Sequence, residues 1–329
     1  MGKTIKAIII VVLICLPLLS DINTHVIDEL QLISVVGFDK ADNDEIRGTV
    51  SLTAYSYEEE LTNTALTAVS DSTRKLRLLF NSMSSRPLHG GKISSILLQD
   101  NLAEEGIFDV LDTYYRDPTI AMTAYLCVVK GTTNEMLNTE FPLQTEIGRY
   151  LNNLLDHNME RANLPKSNMH LFIRSYFEKG HDPIMPVLSY NERALRIEGI
   201  GLFKRDRLVH ELDLNESFFL KLITDGYQTG GSIEVRVEDG SEVAVLRELR
   251  SDVDLGVDLE EGRLYADVDL KTRLSEYSGG LLTEEKIKQI TKETDDYLKE
   301  EITQLLYQMQ QLKIDPIGFV LVKLNEMDE

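Results

Sequence analysis

Two kinds of pattern predict an α/β and α+β protein. Strands alternate with helices through the first half of the chain, and three period-two strands followed by a long amphipathic helix fill the second. The length, 329 residues, adds the expectation of at least two domains. The predicted architecture is mixed β-sheets flanked by helices, the second domain holding a largely antiparallel sheet covered by the long C-terminal helix. The boundaries read as 1–20 for a signal or membrane-anchor segment, 21–190 for an N-terminal α/β domain and 191–329 for a C-terminal α+β domain. Hydrophobic residues make up 43% of the chain and Trp is absent, so the cores should be aliphatic.

The chain opens with Lys3 and Lys6, then the apolar run Ala7–Leu19. Thirteen residues suit the core of an export signal and fall short of the ~20 needed to span a bilayer as a helix. Cys15 lies inside this run and is the candidate lipidation residue, although Ile14 precedes it where lipoprotein processing wants a small side chain. A passive apolar cysteine and an uncleaved anchor are the alternatives. Cys127 reads as a small buried hydrophobe.

Leu30–Asp39 is strand-like, Asp39–Glu45 carries turn residues, and Arg47–Tyr55 is a second strand, so the folded part should begin with a hairpin. Ser72–Met83 reads as an amphipathic helix with Leu76, Leu79 and Phe80 on one face. A strand at Ile93–Leu98 precedes a helix over Asn101–Tyr115, with Asn101 and Glu104 spaced as a capping box and Asp117-Pro118 as the stop. Ile120–Val129 is predicted as strand and Gln144–Glu160 as helix. The prolines of Asn163–Tyr190 mark a loop that ends at the domain boundary near Tyr190.

In the second half a hairpin pairs Ala194–Phe203 with Leu208–Leu212 across the turn Lys204–Arg207, and a short helix covers Glu216–Thr224. Strands follow at Ile233–Glu238, around Val253, Leu255 and Val257, and at Tyr265–Lys271. In the last two, aliphatic residues alternate with aspartates, which predicts one buried and one wet face. The closing helix, Thr283–Leu312, carries Ile287, Ile290, Tyr297, Leu298, Leu305, Met309 and Leu312 on one stripe that should cover the sheet, with Thr283 as its N-cap.

A formal charge of −21 argues against nucleic acid as a partner and against adhesion to anionic lipid by surface charge alone. No catalytic, cofactor-binding or metal-binding set stands out. Asp252, Asp254 and Asp258 alternate with apolar residues, and Gly256 is out of place for a calcium loop, so they line a strand face. Gly199-Ile200-Gly201 lies within a strand and reads as a bend or close approach rather than a nucleotide loop. The six histidines show no metal-ligand spacing and no nucleophile elbow is present. The chain does not read as an enzyme.

Four stretches carry a resemblance. Ile27–Asp39 (IDELQLISVVGFD), Arg86–Arg116 with its His89 strand and LAEEG helix, Gly199–Leu212 (GIGLFKRDRLVHEL) and Gln310–Phe319 (QQLKIDPIGF) together resemble the Ger(x)C family of spore germination proteins. The resemblance implies a C subunit of a nutrient germinant receptor, without catalytic chemistry. It would act beside membrane-spanning A and B subunits on the outer face of the spore inner membrane. Members of that family carry an acylated cysteine shortly before the acidic-Leu pair. Here Thr24 stands at its place and His25 at that of the following Trp, which leaves Cys15 or an uncleaved segment as the tether. The family pattern also continues beyond Asp-Pro-x-Gly-Phe with more helix and a strand, so the expectation is either a last sheet short of a strand or a truncated gene. A different reading is an exported solute-binding protein that captures a small germinant or ion. A secreted hydrolase with paired carboxylates is the third reading, with no residues singled out for it.

Overall fold

Apolar strands that alternate with amphipathic helices bury both faces of one large sheet. The computed structural model describes Gly2 and residues 30–53, 64–141, 145–161, 164–226, 230–237, 240–258 and 263–320. Cys15, Thr24 and His25 lie outside the described residues.

The first half runs β1 (Gln31–Lys40), β2 (Ile46–Leu52), β3 (Thr64–Ser70), α1 (Thr73–Met83), β4 (Leu88–His89), β5 (Ser95–Gln99), α2 (Asp100–Glu105) and α3 (Phe108–Tyr115). It continues with β6 (Tyr125–Val129), α4 (Thr133–Asn138), α5 (Ile147–Arg161), α6 (Met169–Phe177) and β7 (Ile184–Asn191). Then come β8 (Ala194–Lys204), β9 (Arg207–Asp213), α7 (Leu214–Thr224), β10 (Ser232–Val237), β11 (Glu242–Asp258), β12 (Arg263–Tyr277) and α8 (Glu284–Leu312).

The large sheet has the order β3-β2-β1-β5-β6-β7-β8-β9, with β4 pairing beside β1. β1, β5, β6 and β7 are parallel, reached through helical crossovers, while β1–β2–β3 and β7–β8–β9 are antiparallel meanders at either side. Alternate residues feed two layers. Val35, Leu97, Cys127 and Val129 face one core with α4, α5 and α7. Val36, Phe38, Ile96, Leu98, Leu126 and Val128 face the other, with α1, α2, α3 and α6. Cys127 is wholly buried and its thiol is pushed above its ordinary range by desolvation alone, which leaves it inert.

The second sheet, β10-β11-β12, is antiparallel, and α8 lies across it. Ile290, Leu298, Leu305 and Met309 of α8 join Ile233, Val235 and Leu246 in the same core that contains Leu97 and Val129, so one apolar layer runs from the large sheet into the small one. The mixed α/β fold and the helix-covered antiparallel sheet agree with the sequence prediction. Position 190 falls inside the large sheet, where β7 turns into β8.

Several predicted elements differ from the structure. The helix expected over Asn101–Tyr115 is two helices, because Gly106 adopts φ +121° and breaks it, and the residue before the first helix is Gln99, so Asn101 is not its cap. The strand expected from Ile120 begins at Tyr125, after a turn. Within the stretch read as a proline-rich loop, residues 169–177 are helix α6 and 184–191 are strand β7. Pro186 is tolerated in that strand because β6 pairs only from Val187 onward, so no neighbour on that side asks for its missing N–H. Leu79, expected on the buried face of α1, is 37% exposed while Leu76 and Phe80 are buried. β3 and α4 have no counterpart in the sequence reading.

Candidate functional site

Carboxylates that hold backbone N–H groups join the second, third and fourth recognisable segments, and another ties the first segment to α4. Asp39 closes the first segment at the end of β1 and is fully buried. Its two oxygens accept the N–H groups of Thr133 and Asn134, at 2.6 and 2.9 Å, at the start of α4. Burial pushes the Asp39 carboxyl above its ordinary range, and these two donors pull it back. The side-chain amide of Asn134 in turn donates to Thr49 and Thr67, at 3.0 and 2.8 Å, so one short helix ties β1, β2 and β3 together.

The second and third segments lock at Gly106. Breaking the helix there leaves the first N–H groups of α3 without helical partners. Asp206, in the turn between β8 and β9, supplies them: its carbonyl accepts Ile107 N–H at 3.1 Å and its carboxylate accepts Phe108 N–H at 3.3 Å. The cap for a helix in the first half therefore comes from a hairpin in the second.

The third and fourth segments meet at Asp182. Its carboxylate accepts the N–H of Arg205 at 3.2 Å and of Asp315 at 2.8 Å, and its own N–H donates to Asp315 O at 2.9 Å. Asp315 accepts Gly318 and Val320 N–H, both at 2.8 Å, which folds the Asp-Pro turn. His181 Nε2 lies 3.1 Å from Pro316 O, and His210 pairs with Gln308 at 2.7 Å. Within the third segment Gly199 has φ +154°, and an added Cβ would sit 1.9 Å from Leu212 O. That glycine permits the bend and the close strand approach, as the sequence suggested.

The hairpin and the Asp-Pro turn singled out in the sequence are thus adjacent. The residue that joins them, Asp182, was part of the supposed loop. Asp315 carried a legible local signal, an aspartate before Pro with Gly three residues on. Asp39, Asp182 and Asp206 carried none, since each caps backbone far away in sequence.

Other candidate chemistry is sparse. Among the described residues no group of three or more His, Cys, Asp or Glu side chains is arranged to hold a metal ion. Asp252 and Asp254 lie on a strand face opposite Asp269 and Asp267 of β12. A hollow of 310 Å³ lies between α8 and the small sheet, bordered by Leu270, Leu274, Ile287 and Thr291. One of 260 Å³ lies at the Asp182 joint beside Lys166, Arg174 and Asp225. A cavity of 40 Å³ lies under Tyr114 with Thr73, Arg77 and Asp117. No helix among the described residues is long and apolar enough to cross a membrane.

Comparison with known proteins supplies context for these joints. A family profile described as "Spore germination protein N-terminal domain" matches residues 23–190, and one described as "Spore germination B3/ GerAC like, C-terminal" matches residues 198–326. The two matches part within the β7–β8 hairpin. The chain is 24% identical over 300 residues to the spore germination protein GerQC of Bacillus cereus, covering 90% of this chain and 83% of that one. The crystal structure of the GerBC protein shares the fold, with a TM-score of 0.52 at 15% identity over 86% of this chain and 84% of that one.

Proposed function

The chain belongs to the GerAC-like family of spore germination proteins, the Ger(x)C family, and from that premise we propose that it is the C subunit of a nutrient germinant receptor. In this reading it works by contact with two membrane-spanning subunits, A and B, at the extracytoplasmic face of the spore inner membrane. The apolar N-terminal run, with Cys15 or as an uncleaved anchor, is its tether. The proposed units, 21–190 and 191–329, share the large sheet and the apolar layers on its two faces, so the body acts as a rigid platform.

The observation that carries the reading is what four aspartates do, three within the shared segments and Asp182 between the second and third. Asp39, Asp182, Asp206 and Asp315 each spend their carboxylate oxygens on backbone N–H groups. Residues that hold joints preserve a shape, and shape is what a non-catalytic subunit offers its partners. The solute-binding reading draws less support, since the cavity under Tyr114 has room for only a few waters at 40 Å³.

An epitope-tagged copy, pulled down from detergent-solubilised spore inner membranes, tests the proposal. Recovery of two polytopic receptor subunits by mass spectrometry is the expected result. A protein found soluble and alone would end the receptor reading for this chain.

A further inference from the structure

Aromatic residues are 7% of this chain, yet four of them form one surface cluster where α3 and α6 lie side by side. Phe108 stacks on Tyr176 with ring centroids 4.3 Å apart and 13° between planes. Phe177 meets Phe108 edge-on at 5.6 Å and reaches Tyr115 at 6.3 Å. Burial accounts for only part of the grouping: Phe108 and Tyr115 pack partly on the core beneath, while Phe177 is 60% exposed and Tyr176 only partly covered.

Cations rim the rings. The guanidinium of Arg205 lies 5.3 Å from the centroid of Tyr176, and that of Arg116 lies 5.2 Å from Tyr115. Arg116 is paired with Asp112, but among the described residues Lys204, Arg205 and Arg207 form no ion pair, and all three are exposed. The one carboxylate in their turn, Asp206, accepts Phe108 N–H and keeps its charge, which leaves the turn net positive. Arg205 also holds φ +58°, a left-handed conformation that glycine or asparagine takes more readily. The turn keeps an arginine where the backbone would favour a smaller residue.

We propose that this patch is where the folded body rests on an anionic lipid surface. Phe177 would reach the boundary between headgroups and acyl chains, and Lys204, Arg205 and Arg207 would lie on lipid phosphates. The inference rests on the membrane-associated reading above and adds the face and the lipid chemistry. Charge complementarity selects the occupant. A body of −21 is repelled from an anionic leaflet over most of its surface, so a cluster of cations free of carboxylate partners marks the face that can approach. Rings at the centre with long cationic side chains at the rim is the arrangement of an interfacial contact, in which stems cover apolar surface while charged heads meet phosphate.

The absence of Trp from the chain makes the test direct. Phe177→Trp introduces a single tryptophan at an exposed position, which can be excited selectively over the tyrosines. The full chain carrying it is reconstituted with phosphatidylglycerol-rich or phosphatidylcholine-only vesicles. Sedimentation reports association of the chain, and emission reports the patch. In phosphatidylglycerol the emission is expected to shift to the blue and to be quenched by brominated acyl chains. The shift should be lost in phosphatidylcholine, in high salt, and when K204E, R205E and R207E are added. Arg205→Gly relaxes the backbone and removes only the side chain, so a weakened shift there is not a folding defect.

A chain that sediments with vesicles while the tryptophan emits as in free protein overturns the proposal and leaves the membrane reading standing. A chain that does not sediment at all overturns both. A shift that appears only when the polytopic subunits are co-reconstituted makes the patch a protein interface and likewise overturns the proposal.

Discussion

The two sheets bury their strands differently. In the large sheet the five residues of β5 are all buried, and β1 is buried without a break from Ser34 to Asp39, because helices cover both faces. In the small sheet the residues of β11 from Ser251 to Leu255 alternate between half-buried and exposed, and the facing stretch of β12 does the same. α8 covers one side only, and the aspartates line the other. The clean alternation that makes β11 and β12 easy to read is the mark of elements with little burial. The strands that hold the fold together have no such alternation, because both of their faces are inside.

The largest expected effect follows. Leu97→Ala in β5 removes a fully buried side chain from a core fed by both sheets, at a cost of about 2–5 kcal/mol. Val253→Ala in β11 removes half-buried methyl groups from a strand covered on one side and should cost under about 1 kcal/mol. Chemical denaturation of the two variants measures both. Equal losses would mean that the small sheet is as tightly loaded as the large one, and the contrast would fail.

The same contrast explains what the sequence disclosed. α8 was legible because its stripe and the Thr283 cap, which accepts Lys286 N–H at 3.2 Å, are local. The β8–β9 hairpin was legible from its turn. α4 was not, since six residues offer too little periodicity and one of its caps, Asp39, lies 94 residues earlier. The break at Gly106 was hidden because a single glycine is tolerated within a helix, and the cap that makes the break favourable is Asp206, 98 residues from Phe108. One local signal was passed over: Asp213 and Glu216 form a full capping box, so α7 starts at Leu214 rather than Glu216. Of the joints, only the Asp315 turn could be read without the fold.

A buried lysine sits between the two regions and sharpens the comparison. Lys221 of α7 is 3% exposed and donates to Met159 O at 2.5 Å. Burial pulls its ammonium down to about 8, while Asp225 favours the charged form and Lys166 disfavours it. The folded chain therefore releases this proton near pH 8, while the unfolded chain keeps it up to the ordinary lysine range. Between the two the unfolded state binds more protons, so this contribution to stability rises with pH and is lost as pH falls through 8. Its full size is on the order of 3 kcal/mol. Urea midpoints from pH 8 to about 10 should climb for the native sequence relative to Lys221→Met, whose profile lacks this rise. Parallel profiles would show that the ammonium is already solvated where α7 bridges the sheets.

The smallest effect lies on the wet face, and its sign is the informative part. Asp254 and Asp267 are directly opposite across the β11–β12 pair, as are Asp252 and Asp269, so four carboxylates crowd two rungs of one ladder. Like charges facing one another weaken a strand pair, and the cost is small because water and salt screen them. Replacing Asp267→Lys puts a cation opposite Asp254 and should stabilise the hairpin by roughly 0.2–1 kcal/mol at low salt, fading in high salt. A thermal melt at two ionic strengths reads both the gain and its screening. A loss of stability would mean that the aspartates are doing something other than keeping an exposed strand face soluble. If the gain appears, the acidic ladder is tolerated at the expense of stability, which suits a strand face that α8 leaves uncovered.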